Sequence, residues 1–126
     1  MNTNAAPPPV ALIVDDEANL RMVLRTQLQF AGYVCHVCTG GQDALATLKR
    51  VGPVDVILTD LRMPGMDGAG LYRELLARDP GLAARMVFLS GDIAQLGALE
   101  GEISEDRVMA KPVELMDFER FLLAHK

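Results

Sequence analysis

The sequence predicts an α/β domain in which five strands and five helices alternate around a parallel sheet. Apolar runs of strand length recur along the chain, and stretches with leucine at helical spacing separate them. Such alternation builds a parallel sheet with helices on both faces. The chain has 126 residues, and half of them are apolar, so it can bury one core and fits a single domain.

The first nine residues precede the first predicted strand. They are polar and then rich in alanine, and they end in Pro7-Pro8-Pro9, which favours an extended, solvated chain. We therefore expect residues 1–9 to be a disordered leader or linker and residues 10–126 to be the folded domain.

The predicted elements follow in order. The strands are predicted over residues 10–14, 33–38, 54–59, 86–89 and 108–110. Four helices are predicted from apolar stripes that begin at Leu20, Ala44, Leu71 and Leu115. Residues 93–100 are compatible with a short helix, which the nearby glycines weaken by about 1 kcal/mol each relative to alanine.

Glycine and proline mark the predicted ends of these elements. The predicted stops and turns are Gly32, Gly40-Gly41, Gly52-Pro53 and Asp79-Pro80-Gly81. The loop over residues 61–68 contains Pro64 and two glycines, so we expect no helix there.

Composition excludes several classes of function. The formal net charge is -5 and no run of lysine or arginine occurs, so direct nucleic-acid binding is not expected. No apolar stretch approaches the roughly 18 residues of a membrane helix, so we expect no membrane contact by this segment. The N-terminus does not resemble a secretory signal, and we expect a cytoplasmic location.

Cys35 and Cys38 form a CxxC pattern with His36 between them. Such a pair is either a redox or zinc-binding motif, or two small apolar residues in a strand. The pattern lies in an extended, β-branched run, where positions three apart face opposite sides of the sheet. No second cysteine pair is present to complete a zinc site. We favour the structural interpretation, with His36 at the surface or edge of the strand.

Polar residues with catalytic chemistry follow four of the predicted strands. They are Asp15-Asp16, Asp60, Ser90 and Lys111. The carboxyl ends of parallel strands meet at one edge of a sheet, where open α/β sheets place their sites. Three carboxylates, a hydroxyl and a lysine suit a divalent cation and a phosphoryl group.

From Val10 to Ala124 the chain resembles the receiver domain of two-component response regulators. The matching residues are Asp15-Asp16, Leu58-Thr59-Asp60, Met63-Pro64-Gly65-Met66-Asp67-Gly68, Ser90-Gly91 and Lys111-Pro112. The resemblance implies a flavodoxin-like (βα)5 fold with a doubly wound parallel sheet of strand order 2-1-3-4-5. It also implies a phosphorylation-controlled switch or a phosphorelay acceptor.

The resemblance implies a role for each polar residue. Asp60 would take a phosphoryl group from a phosphohistidine of a histidine kinase or histidine phosphotransfer domain. Mg2+ would be bound directly by Asp16, Asp60 and the main-chain carbonyl of Arg62, with Asp15 acting through a bound water. Carboxylates about 5 Å apart repel by roughly 3 kcal/mol at an effective dielectric of 20, and a dication removes that cost.

The phosphoryl oxygens would be contacted by the other two polar residues. Lys111 would contact one of them, and Ser90 would donate a hydrogen bond to another after transfer. Many family members have an aromatic residue three positions before the lysine, and it rotates inward on activation. Val108 stands there in this chain, so we expect a weaker switch at Ser90 and Val108.

Arg62 and Asp92 lie two residues beyond Asp60 and Ser90, at positions that overlook the mouth of the site in this family. Their charges are opposite, so we expect them to modulate phosphate loss modestly. The residues around Ser90 and the weak helix after it also resemble the receivers of hybrid sensor kinases, in which kinase activity belongs to another part of the chain.

Two other functions fit parts of the pattern. An aspartyl-phosphate phosphatase normally needs a second aspartate two residues after its nucleophile, and Arg62 occupies that position. A phosphorylation-independent interaction module would not require the intact acidic set. We expect the receiver function over both.

Overall fold

Five strands form one parallel sheet at the centre of the molecule. The structure is a computed structural model that describes residues 7–90 and 107–110. The strands are β1 (Val10–Val14), β2 (Val34–Cys38), β3 (Val56–Asp60), β4 (Met86–Ser90) and β5 (Val108–Ala110). They lie in the order β2-β1-β3-β4-β5, and every neighbouring pair is parallel. The predicted fold class and strand order are confirmed.

Four helices connect these strands within the described ranges. They are α1 (Ala18–Phe30), α2 (Gly41–Val51), α3 (Gly68–Arg78) and the single turn α4 (Pro80–Ala83). The predicted helix over residues 93–100 and the predicted last helix lie outside the described residues, as do Lys111, Asp92 and most of the predicted leader.

The helices cover both faces of the sheet. On one face, Leu24 and Leu28 of α1 pack against alternate residues of the central strands, such as Ile13 and Leu58. On the other face, α2 and α3 pack against the remaining residues, and the ring of Tyr72 meets that of Phe88 edge to face at 5.9 Å. All five residues of β3 and of β4 are buried. Strands covered on both faces carry continuous apolar runs, which is what the sequence shows.

Two strand boundaries differ from the prediction in a way that matters for the site. β3 begins at Val56 rather than Val54, and it includes Asp60, which pairs with Leu89. β4 includes Ser90, which pairs with Ala110. Ladder pairing uses main-chain groups, so a polar side chain can occupy the last position of a strand. The strands therefore hold Asp60 and Ser90 at fixed points of the sheet edge.

Turn residues were predicted well at Gly32 and less well at two other places. Gly32 follows α1 with a φ of 98°, a conformation that glycine adopts without strain. The predicted turn Gly40-Gly41 is wrong in detail, because Gly41 is the first residue of α2. Asp79-Pro80-Gly81 ends α3 as predicted but also starts α4, since Asp79 accepts a hydrogen bond from the Leu82 N–H at 3.2 Å. An aspartate before proline is a common helix start.

Gly68, the first residue of α3, is required by close packing against the main chain of β3. A Cβ atom there would collide with the carbonyl oxygen of Asp60 and lie 3.2 Å from the Leu61 Cα. Both contacts are with backbone, which cannot move aside cheaply. At Gly70 the nearest contact, at 3.2 Å, is the flexible side chain of Met66.

We therefore expect Gly68→Ala to lower the free energy of unfolding by about 1–3 kcal/mol, as overpacking does elsewhere. Gly70→Ala, in the same helix, should be close to neutral because alanine favours helix by up to about 1 kcal/mol over glycine. Urea denaturation of both variants measures the difference. A Gly68→Ala variant as stable as Gly70→Ala would contradict the packing argument.

Candidate functional site

Three carboxylates converge at the carboxyl edge of the sheet. One oxygen from each of Asp15, Asp16 and Asp60 lies within 4.8 Å of the other two. Asp15 and Asp60 are buried, whereas Asp16 is exposed. Asp15 and Asp16 follow β1 directly, and Asp60 ends the neighbouring β3, so the pairing of these two strands brings the carboxylates together.

Hydrogen bonds fix the position of Asp15 at three points. Its N–H donates to the Cys38 carbonyl at 3.1 Å, which extends the pairing of β1 with β2. Its Oδ1 accepts from the Glu17 N–H at 2.8 Å. Its main-chain carbonyl accepts from Nη1 of Arg21 at 2.7 Å. The residue is therefore held by the sheet, by the start of α1 and by a side chain of α1.

Hydrogen bonds also fix the position of Asp60. Oδ1 of Asp60 accepts from the Arg62 N–H at 3.3 Å, and the Asp60 carbonyl accepts from the buried Thr59 hydroxyl at 3.0 Å. The Leu61 N–H donates to the Leu89 carbonyl at 3.0 Å, which continues the ladder past the end of β3. Asp60 therefore stands on a rigid strand end rather than in a free loop.

The loop between β3 and α3 is tied to the start of α2. The Gly41 N–H donates to the Met66 carbonyl at 3.0 Å, and a Cβ at Gly41 would come within 2.6 Å of the Met66 side chain. At the other end of the loop, Asp67 caps α3 by accepting from the Gly70 N–H at 2.9 Å. These contacts give the Pro64-containing loop a defined path beside the acidic cluster.

The charge of the cluster suits a divalent cation. At an effective dielectric of 20, two unit charges about 5 Å apart repel by roughly 3 kcal/mol, and oxygen atoms of the buried Asp15 and Asp60 approach this closely. Oxygen ligands of this kind are those that hard cations such as Mg2+ and Ca2+ bind. The residues present therefore fit a metal ion, and the cluster could bind one.

Ser90 lies on β4 and Val108 on β5, the two strands that follow β3 in the sheet. Ser90 is buried at the end of β4, opposite Ala110, the residue that precedes Lys111 in the sequence. Val108 pairs with Phe88 and packs against the core below α2 and α3. The structure thus brings Asp15, Asp16 and Asp60 together as predicted and places Ser90 at the end of the adjacent strand.

The two cysteines lie on opposite faces of β2. Cys35 packs toward the core under α1, and Cys38 is buried in the core under α2, where its thiol donates to the Thr47 hydroxyl at 3.4 Å. Both thiols are free. β2 is an edge strand with His36 in its middle. The predicted placement of the two thiols on opposite faces of the strand is confirmed.

Comparison with known proteins identifies the family of this chain. The family model described as the response regulator receiver domain matches residues 11–120. The chain belongs to this family. It is a receiver domain of two-component signalling, and the convergence of three aspartates at the sheet edge agrees with that assignment.

The chain is also similar to parts of two longer proteins. It is 36% identical over 85 residues to the C4-dicarboxylate transport transcriptional regulatory protein DctD of Rhizobium meliloti. The aligned residues cover 68% of this chain and 18% of that protein. It is 36% identical over 90 residues to the sensor kinase CckA of Brucella abortus, covering 71% of this chain and 9% of that protein. The receiver domain thus spans a small part of these relatives.

The fold matches solved structures over nearly its whole length. The chemotaxis protein CheY4 of Vibrio cholerae superposes with a TM-score of 0.81 at 22% identity, covering 95% of this chain and all of that one. This likeness establishes the fold of the receiver domain. Within residues 7–90 and 107–110, no helix has both the length and the apolarity that a bilayer span requires.

Sequence reasoning missed Arg21 as a part of this site. Arg21 lies six residues after Asp15, one turn inside α1, so its long side chain can reach back to the β1–α1 loop. The helical spacing carried this information, but only the fold shows that the guanidinium meets the Asp15 carbonyl. The sequence likewise did not reveal that the Thr59 hydroxyl donates to the main-chain carbonyl of Asp60.

The cysteines give a test of the structural interpretation of CxxC. Burial raises the pKa of the Cys35 thiol against the opposing influence of Arg25, and burial likewise raises the pKa of Cys38 although Thr47 opposes it. The thiolate is the reactive form, so a raised pKa leaves less of it at neutral pH.

We expect iodoacetamide to modify both cysteines more slowly than a free thiol at pH 7, with the rate rising only above the ordinary thiol pKa of about 8.5. Cys38, the more buried, should react last, and Cys35→Ser isolates it for mass spectrometry. A disulfide between the two cysteines in the folded protein under mild oxidant would contradict the assignment of their side chains to opposite faces.

Proposed function

We propose that this receiver domain accepts a phosphoryl group on Asp60 in the presence of Mg2+. The donor would be a phosphohistidine of a histidine kinase or of a histidine phosphotransfer domain. The proposal is supported by three carboxylates that each place an oxygen within 4.8 Å of the other two, with Asp60 buried at the end of a central strand. Carboxylates this close together repel one another, and a divalent cation bound by them would relieve the repulsion.

The three carboxylates would divide the binding of Mg2+ between them. Asp16 is exposed and Asp60 lies at the strand end, so both are proposed as direct ligands, with the Arg62 carbonyl as a third. Asp15 is buried, and its Oδ1 already accepts from the Glu17 N–H, which supports an indirect role through water. Mg2+ keeps some of its water and needs only one or two protein carboxylates. When bound, it neutralises the charge of carboxylates and phosphoryl oxygens.

Asp60 would supply the nucleophilic oxygen. A bond forms between one of its Oδ atoms and phosphorus while the bond from phosphorus to the histidine nitrogen of the donor breaks, and the imidazole leaves. The N–H of Arg62 is already directed at Oδ1 of Asp60 and would hold the carboxylate in a fixed rotation. Catalysis of such a transfer is mainly positioning and charge neutralisation.

Ser90 and Lys111 would contact the transferred group. Ser90 ends the strand next to β3, and its hydroxyl would donate to one phosphoryl oxygen. Lys111 follows Ala110, the partner of Ser90 in the ladder, and would neutralise the charge on another phosphoryl oxygen. Val108 has no ring to bury on phosphorylation, so we propose a small rearrangement of the β4–β5 side.

Phosphate loss would be modulated by the charged residues beyond the strand ends. Arg62 is exposed beside Asp60, in keeping with a position at the mouth of the site. Its proposed partner is Asp92, and an exposed pair of this kind is worth only about 0–1 kcal/mol. Its effect on phosphate lifetime would therefore be modest.

The relatives support the proposed partner classes. One relative is a transcriptional regulatory protein and another is a sensor kinase. Both are compatible with a histidine kinase or phosphotransfer domain as the donor to this domain. The phosphatase alternative is less well supported, because Arg62 stands where a second aspartate would act as the general acid.

Asp60 should be the acceptor when acetyl phosphate and Mg2+ replace the protein donor. Wild type should gain one phosphoryl mass, and Asp60→Ala should gain none. Asp55→Ala is the matched control, because Asp55 lies just before the opposite end of β3 and accepts from the Val10 N–H. Mass spectrometry of the intact protein decides. Equal phosphorylation of Asp60→Ala and wild type would overturn the assignment.

A further inference from the structure

Arg21 makes a contact that the proposed phosphorylation chemistry does not by itself require. Its Nη1 donates to the main-chain carbonyl of Asp15 at 2.7 Å, and the side chain is half-buried. A charged donor makes a stronger hydrogen bond than a neutral one. The contact closes the turn between β1 and α1 from the helix side.

The contact bears on Asp16 through the peptide bond. The Asp15 carbonyl and the Asp16 nitrogen belong to one rigid peptide plane, so a guanidinium that fixes the carbonyl also fixes the direction in which the chain leaves for Asp16. Asp16 is exposed, whereas Asp15 is fully buried and held by the sheet. The conformation of the turn between β1 and α1 therefore sets the position of the Asp16 carboxylate.

We propose that Arg21 is a positioning residue for the acidic cluster. It holds the Asp15–Asp16 peptide so that the Asp16 carboxylate stays within reach of Asp60, and it thereby sets the affinity of the cluster for a divalent cation. The inference rests on the proposed function, since the cation in question is the Mg2+ of that proposal.

Charge and positioning act on Mg2+ affinity with opposite signs. The guanidinium repels an approaching dication, so loss of its charge alone would strengthen Mg2+ binding. Loss of positioning would weaken binding, because the carboxylates would no longer be held together. Weaker binding after removal of Arg21 therefore cannot be a charge effect.

Arg25 is a matched control. It lies one turn further along α1 and lines the same surface groove as Arg21, together with Met22 and Val37. Its removal changes the charge of the same helix face by the same amount, at a greater distance along the helix from the β1–α1 turn. Comparison of Arg21→Met with Arg25→Met therefore isolates the contact with Asp15.

The test is calorimetric titration of Mg2+ into the wild type and three variants. Arg21→Met should bind Mg2+ about tenfold more weakly than wild type, as loss of a supporting contact does at other metal sites. Arg25→Met should bind as well as wild type or slightly better. Arg21→Lys keeps a charged donor and should recover part of the loss. An Arg21→Met affinity equal to that of Arg25→Met would overturn the inference.

A metal-free measurement separates this inference from the proposed function. The Glu17 N–H donates to Asp15 Oδ1 within the same turn, so its hydrogen exchange should be faster in Arg21→Met than in Arg25→Met. If wild type binds no Mg2+, the proposed function fails, and Glu17 exchange alone decides whether Arg21 holds the turn. Equal exchange in the two variants would show that it does not.

Discussion

The structure depends on one electrostatic constraint, which is the enforced proximity of like-charged carboxylates at the edge of the sheet. Asp15 and Asp60 are buried. One carboxylate oxygen of each lies within 4.8 Å of the other and of an oxygen of Asp16. Like charges at this separation repel one another. The fold keeps these carboxylates close together because hydrogen bonds donated by the Asp15 N–H and by the Leu61 N–H fix the main chain beside them.

The sheet and the two apolar cores that cover it hold these residues in place. The ladder continues past the ends of the central strands, through the Asp15 N–H on one side and the Leu61 N–H on the other. Cores on both faces of the sheet, under α1 and under α2 and α3, prevent the strands from moving apart. Gly68 lets α3 start directly against the Asp60 carbonyl, so that the loop cannot relax away from the cluster. The rigidity of the scaffold therefore maintains the repulsion that a cation would relieve.

Apolar periodicity and polar strand ends are local features, so the residues themselves predict the strands and the acidic set. The strand order is predicted only from the resemblance to receiver domains. The sequence does not predict where Asp60 and Ser90 stand within the ladder, since pairing is a property of two strands. It also misses α4, although Asp79 before Pro80 is a helix-start signal, and it misses Arg21, whose contact is with main chain. Contacts to main-chain atoms leave no pairwise pattern of residue types, so they become visible only when the fold is known.

The most direct test of this account is the free energy of unfolding of wild type and Asp60→Asn, measured in urea with and without Mg2+. Asparagine keeps a hydrogen-bond acceptor for the Arg62 N–H but removes one charge. Without divalent cations, Asp60→Asn should be more stable by roughly 1–3 kcal/mol. Saturating Mg2+ should stabilise wild type more and reverse the order. If wild type is the more stable protein without Mg2+, carboxylate repulsion is not the constraint on which this site is built.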